Sequence, residues 1–83
     1  MIIKMVRTYL DHNAEILQIS KDGARKTGIV YGANLNFYTI KKRLKELITF
    51  GLLLKNGQYY ITTPKGDVFL YHYREMRSLI PIG

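Results

Sequence analysis

The stretch from Lys26 to Gly66, KTGIVYGANLNFYTIKKRLKELITFGLLLKNGQYYITTPKG, decides how this chain folds. Its apolar residues follow helical spacing first and then change to the alternation of a short hairpin. A helical pattern returns after Thr63. The predicted order of elements is therefore a short helix, a turn, a basic helix, a hairpin and a further helix.

Two helices separated by a tight turn are predicted in the first half of this stretch. Thr27 is expected to cap a short helix that ends at Tyr31, and Gly32 to form the turn. Asn36 is a strong N-cap for a longer helix over residues 36–50. Helical spacing within that longer helix predicts that five apolar residues face inward: Phe37, Ile40, Leu44, Leu47 and Ile48.

The outward face of the longer helix is basic. Its exposed residues are predicted to be Tyr38, Lys41, Lys42 and Lys45, with Thr39 and Arg43 at the borders. Lysines in the later turns also suit the negative end of the helix dipole, so a merely solvated helix is the alternative interpretation.

A hairpin follows over residues 52–62 and is called the wing below. Asn56-Gly57 at its centre predicts a type I′ turn between two strands. Thr63 and Pro64 then suit the N-cap and first position of a last helix over residues 64–80.

These elements, preceded by a helix predicted over residues 8–20, define an α+β fold of the winged helix-turn-helix type. It has a three-helix core, a two-stranded wing and a C-terminal helix. We predict one such domain over residues 1–83. Residues 1–7 fit an extra strand, an extension of the first helix or an arm against a partner subunit.

The composition points to a polyanionic partner. Thirteen Lys and Arg oppose six Asp and Glu, which gives a net charge of +7. The chain has no cysteine, and its two histidines lie far apart without a convergent carboxylate, so we expect no metal site, no cofactor and no catalytic residues. The sequence also lacks an apolar run long enough to cross a membrane, so we expect a cytoplasmic or nucleoid location.

A resemblance to a known family rests on YGANLNF, on LKELITFGLL and on YYITTPKG. These motifs resemble those of small basic archaeal winged-helix DNA-binding proteins of the chromatin type, which also occur in archaeal viruses. The similarity covers roughly residues 7–70. It implies binding of double-stranded DNA by the third helix and the wing, and homodimerisation through the last helix. The last helix of this chain, however, is much shorter than the coiled coil of that family.

The predicted DNA contacts combine this resemblance with the charge pattern. Lysines would meet phosphates, whereas the only plausible base readers on the third helix are Asn36, Tyr38 and Thr39. Sequence preference should therefore be modest, as in a chromatin protein or a regulator. The full predicted set is Arg25, Lys26, Asn36, Tyr38, Thr39, Lys41, Lys42, Lys45, Lys55 and Gln58.

The predicted dimer interface follows a heptad-like spacing on the last helix. It comprises Phe69, His72, Tyr73, Met76 and Leu79. Two other functions remain open: a protein-interaction module that uses the last helix, and an RNA or single-strand binder that stacks bases on Tyr38.

Overall fold

The computed structural model describes residues 9–79, which form four helices and one hairpin. In chain order the elements are α1 (Tyr9–Ile19), α2 (Lys26–Ala33), α3 (Phe37–Thr49), β1 (Leu53–Asn56), β2 (Tyr59–Thr62) and α4 (Pro64–Leu79). The predicted order of elements is confirmed. The predictions for residues 1–7, for a first helix that begins at residue 8 and for residue 80 lie outside the described residues.

The core forms where the first three helices meet the inner face of the hairpin. Ile16 and Leu17 of α1, together with Ile29 of α2, have no exposed surface. The inward stripe of α3, the first residue of β1 and one residue of α4 complete it with Ile40, Leu44, Leu47, Leu53 and Leu70. Each element therefore contributes one apolar face, as the periodicity of the sequence predicts.

The wing is an antiparallel pair whose register assigns a face to each residue. Leu53 pairs with Thr62, and Lys55 with Tyr60, on the inner face that packs towards α3. Asn56 pairs with Tyr59 on the outer face. Tyr60 is buried and Tyr59 is exposed, because successive side chains of a strand point to opposite faces.

The turn of the wing differs from the prediction by one residue. Asn56 belongs to β1, and the two residues that connect the strands are Gly57 and Gln58. Gly57 has a positive φ of 64° and Asn56 does not. The loop therefore places glycine at the first central position, as type II′ turns do, and not Asn-Gly in a type I′ turn.

The start of α2 also corrects the prediction. Ala24 pairs with Tyr60 through two backbone hydrogen bonds of 2.9 and 2.8 Å, so the chain is extended up to Arg25 and turns helical directly after it. Arg25 is the N-cap, without a side-chain capping bond, and Thr27 lies inside the helix. The prediction that Thr27 caps α2 was wrong because this long-range pairing sets the boundary.

The turn between α2 and α3 begins later than expected. Gly32 belongs to α2, where a Cβ would lie 2.8 Å from Cδ1 of Ile19, so the glycine allows α1 to approach closely. The left-handed conformation required by the turn falls on Asn34, whose φ is 55°. Asparagine tolerates this conformation better than most residues, and its N–H bonds to the carbonyl of Val30.

The apolar face of α3 is narrower than predicted. Ile40, Leu44 and Leu47 are buried, but Phe37 is 56% exposed and Ile48 is 38% exposed. Phe37 begins the helix at the surface, and Ile48 lines a groove beside the wing. The prediction that these two residues face the core was therefore wrong.

A set of contacts called the α3–α4 joint fixes the start of α4 to the end of α3. The hydroxyl of Thr63 donates to the Gly51 carbonyl at 2.7 Å and accepts from the Gly66 N–H at 3.1 Å, which confirms Thr63 as a cap. The ammonium of Lys65 donates to the Phe50 carbonyl at 2.9 Å. A Cβ on Gly66 would lie 2.3 Å from the Leu52 carbonyl oxygen, so only glycine fits there without rearrangement.

A polar cluster joins the far part of α4 to α1. Asp11 is 5% exposed, and its carboxylate forms an ion pair of 2.9 Å with Arg77. The Tyr73 hydroxyl donates to the same carboxylate oxygen and accepts from Arg77 at 2.9 Å. This cluster satisfies a carboxylate that would otherwise be costly to bury.

Candidate nucleic-acid interface

A groove between α3 and the wing brings together lysines from three elements, and it is called the lysine groove below. Its volume is about 200 Å³, which is smaller than the pockets that enclose drug-sized ligands. The lining residues are Lys26, Lys41, Leu44, Lys45, Ile48, Lys55 and Tyr60. Four cations thus surround an apolar floor, and no lining residue is acidic.

The fold gives each lysine of the groove a defined position. Lys41 and Lys45 lie one helical turn apart on α3, so their side chains share one flank of the helix. Lys55 extends from the inner face of the wing, with its Nζ 5.8 Å from the centroid of the Tyr60 ring. Lys26 reaches in from the start of α2, with its Nζ 5.4 Å from the Phe37 ring. The two aromatic contacts hold these ammonium groups beside the groove.

No carboxylate in the described part of the chain neutralises the charges of the lysine groove. Within residues 9–79, none of these four lysines forms an ion pair. The single acidic residue of α3, Glu46, binds Arg43 at 3.2 Å on the opposite flank of the helix. Arg43 also lies 4.7 Å from the Tyr9 ring, so its guanidinium serves the α1–α3 contact. The positive potential therefore concentrates on the side of α3 that faces the wing.

The predicted base readers lie at the N-terminal end of α3. Tyr38 is 77% exposed, and Lys42 is exposed on the same outward surface. Thr39 is half-buried. The Asn36 carboxamide oxygen accepts from the Thr39 N–H at 2.7 Å, and its amide N–H groups face no such demand and can contact a base. The capping role of Asn36 is confirmed, whereas its base contact stays a prediction.

The wing carries a second cation on its outer face. The Arg25 guanidinium carbon lies 5.3 Å from the centroid of the Tyr59 ring, and its Nη2 donates to the Tyr59 hydroxyl at 3.5 Å. Gln58 occupies the tip of the turn and is exposed. Sequence reasoning did not assign a role to Tyr59, although its position opposite Asn56 on the outer face follows from the strand alternation.

The residues predicted to form a dimer interface divide into two groups. Phe69 and Tyr73 pack against the core of their own chain, and Met76 is partly buried. His72 and Leu79 are exposed. Val68 and Tyr71, which the prediction left out, are large exposed residues of the same helix. Val68 lies three residues before Tyr71 and four before His72, and this spacing places the three side chains on one face.

The sequence of this chain matches the model of a known protein family. The family model described as winged helix-turn-helix matches residues 6–80. The chain belongs to the winged helix-turn-helix family. In this winged helix-turn-helix domain, α2 and α3 form the helix-turn-helix, and β1 and β2 form the wing.

A solved structure supports the same assignment. The winged helix-turn-helix domain is similar to Sso10a-2, a DNA-binding protein from Sulfolobus solfataricus, with a TM-score of 0.80 and 26% sequence identity. The match covers 88% of this chain and 81% of the other. No similar sequence was found among curated proteins.

Over residues 9–79, no three His, Asp or Glu side chains converge in a way that could hold a metal ion. Among the helices that the structure describes, none is long and apolar enough to cross a membrane.

Proposed function

We propose that this winged helix-turn-helix domain binds double-stranded DNA, with α3 in the major groove and the wing along the adjacent backbone. The observation that carries the proposal is the lysine groove, in which Lys26, Lys41, Lys45 and Lys55 converge from three elements without an acidic neighbour. A polyanion is the partner that such a surface favours. The family and the similarity to a DNA-binding protein support the same function.

The mechanism separates positioning from readout. The lysines of the groove would contact phosphates, which fix the orientation of the domain without reading sequence. Lys42, which is exposed on the outward surface of α3, would contact a further phosphate at the edge of the major groove, and the exposed Tyr38 would meet the sugars. No arginine lies on this outward surface to form a bidentate contact with guanine, so modest sequence preference is expected.

The direct test is a fluorescence-anisotropy titration of the whole chain with random-sequence duplex DNA, single-stranded DNA and duplex RNA. Each titration is run at several salt concentrations. If about 5–8 phosphates are neutralised, the logarithm of the affinity for duplex DNA should fall with that of salt with a slope of about −0.9 per phosphate. No binding to duplex DNA at low salt would reject the proposal and favour a protein-interaction module. Equal or tighter binding to single-stranded DNA would favour stacking of bases on Tyr38, and the same result with duplex RNA would favour an RNA-binding function.

A matched pair of variants assigns the binding to α3. Neutralising Lys41 and Lys42 with glutamine should weaken duplex binding about tenfold or more and flatten the salt slope by about two. The control carries the same charge change at Lys21 and Arg74, which do not line the lysine groove, and should bind duplex much more tightly than the first variant. Equal losses in both variants would show that net charge, and not α3, drives binding.

We further infer that the chain forms a homodimer through α4. The exposed face of this helix carries a row of large side chains, which are Val68, Tyr71, His72 and Leu79. A chromatin-type dimer would coat arbitrary duplex at high density, whereas a regulator would prefer a site with two half-sites at one spacing. Footprinting on long random DNA separates these two roles.

A further inference from the structure

The contact between Arg25 and Tyr59 suggests a role that the lysine groove does not fill. Arg25 lies outside the groove and, over residues 9–79, has no carboxylate partner. Its guanidinium instead lies against an exposed aromatic ring, 5.3 Å from the centroid, with a hydrogen bond of 3.5 Å to the hydroxyl. An arginine held in this way keeps its charge and its free N–H donors for a ligand.

The backbone around Arg25 is fixed on both sides. The preceding residue, Ala24, is paired with Tyr60 of β2, and the Arg25 carbonyl accepts the first hydrogen bond of α2 from the Ile29 N–H at 3.0 Å. Tyr59 follows the turn of the wing directly. The Arg25 guanidinium is therefore held beside the residue that follows the turn of the wing.

Lys55 and Arg25 lie on different faces of the wing. Lys55 extends from the inner face into the lysine groove, whereas Tyr59 holds Arg25 on the outer face. If α3 lies in the major groove, the wing lies over the neighbouring backbone, and a cation on its outer side is directed beyond that backbone towards the minor groove. Arginine is the side chain best suited to a narrow minor groove, where the negative potential is strongest.

We propose that Arg25 reads the width and the edge of the minor groove beside the wing, and that Tyr59 is the residue that positions it. This inference rests on the proposed binding of duplex DNA. It predicts a preference that α3 does not supply: tighter binding where the minor groove is narrow and carries no guanine amino group. Ordering the arginine before binding lowers the entropic cost of placing it in the groove.

The experiment compares two duplexes of one sequence, in the second of which every guanine is replaced by inosine. Inosine removes the amino group from the minor groove and leaves the major-groove edge unchanged, so the ratio of the two affinities reports minor-groove reading alone. Both are titrated with the full chain at one salt concentration, below the melting temperature of the inosine duplex. We expect the wild type to bind the inosine duplex about fivefold more tightly or better.

Variants of the pair then test the mechanism. Arg25→Lys keeps the charge and should bring the ratio close to one while retaining most of the affinity for the guanine duplex. Tyr59→Leu should lower the ratio in the same direction, and Tyr59→Phe, which keeps the ring, should restore most of it. Lys42→Gln is the control, since loss of a phosphate contact should weaken both duplexes equally and leave the ratio unchanged.

The possible failures are distinct. No binding to either duplex would reject the proposed function, and this inference with it. Binding of both duplexes with a wild-type ratio of one, or a ratio that Arg25→Lys leaves unchanged, would overturn the inference and leave the proposed function standing.

Discussion

Asn36 caps α3 and is also one of the predicted DNA contacts, so it serves both folding and the proposed binding. Its side-chain oxygen accepts the Thr39 N–H, so it holds the first turn of α3 in place. We expect Asn36→Ala to lower the free energy of unfolding by about 1 kcal/mol, because a free N–H is left at the start of the helix. Urea denaturation measures this. Asn36→Asp, which can also cap, should stay close to the wild type, and a comparable loss in both variants would contradict the capping role.

Asp11 is the residue on which the packing of α4 against α1 depends. Its carboxylate is buried and bound by both Arg77 and Tyr73. Asp11→Ala leaves these two partners without their acceptor, and we expect a loss of about 2 kcal/mol in the free energy of unfolding. The control is Gln18→Ala, which removes an exposed hydrogen bond to Arg74 and should change stability by about 0.5 kcal/mol or less. Equal effects in thermal unfolding would show that the cluster contributes little.

At the scale of elements, alanine substitutions at two helical glycines should change stability in opposite directions. Gly66→Ala would place a methyl group 2.3 Å from the Leu52 carbonyl oxygen, and it should cost about 2 kcal/mol or more because the backbone cannot yield easily. Gly28 of α2 has no atom within 4 Å of the site of a Cβ, so Gly28→Ala should stabilise the fold by about 0.5 kcal/mol. Chemical denaturation of both variants would reveal the contrast, and effects of the same sign would contradict the close approach at Gly66.

The sequence predicted the elements because periodicity is local. The inward stripe of α3, the two strands of the wing and the cap at Thr63 each depend on residues only a few positions apart. The start of α2 depends instead on the pairing of Ala24 with Tyr60, which are distant in the chain. No local pattern contains this information, so the cap of α2 was missed.

The candidate site was predicted in its members but not in its arrangement. All four lysines of the groove are in the predicted set: Lys41 and Lys45 follow from the exposed face of one helix, and Lys26 and Lys55 from their places at the second helix and on the wing. Their contact with DNA stays a prediction. The convergence of these lysines and the contact of Arg25 with Tyr59 depend on how elements pack. A tertiary contact across tens of residues leaves no trace in a single sequence.

At the scale of the whole molecule, we expect two copies of the chain to associate. Light scattering after size-exclusion chromatography should give a mass near twice 9.7 kDa at high concentration. Val68→Glu with Leu79→Glu should shift that mass towards one chain, because charges on the exposed face of α4 would need to lose water in an interface. Arg74→Gln, on the same helix but on the side that binds Gln18 of α1, is the control and should leave the mass unchanged. A wild type that is monomeric at every concentration would reject α4 as the interface.

The α3–α4 joint has a mechanical consequence for such a dimer. Thr63 and Lys65 bind the carbonyls that end α3, and Gly66 lets α4 start against them. If two copies meet along α4, the joint would act as a stiff lever, so the separation and tilt of the paired α3 helices would be set before DNA arrives. The duplex, being the softer body, would then have to bend or twist to fit the protein.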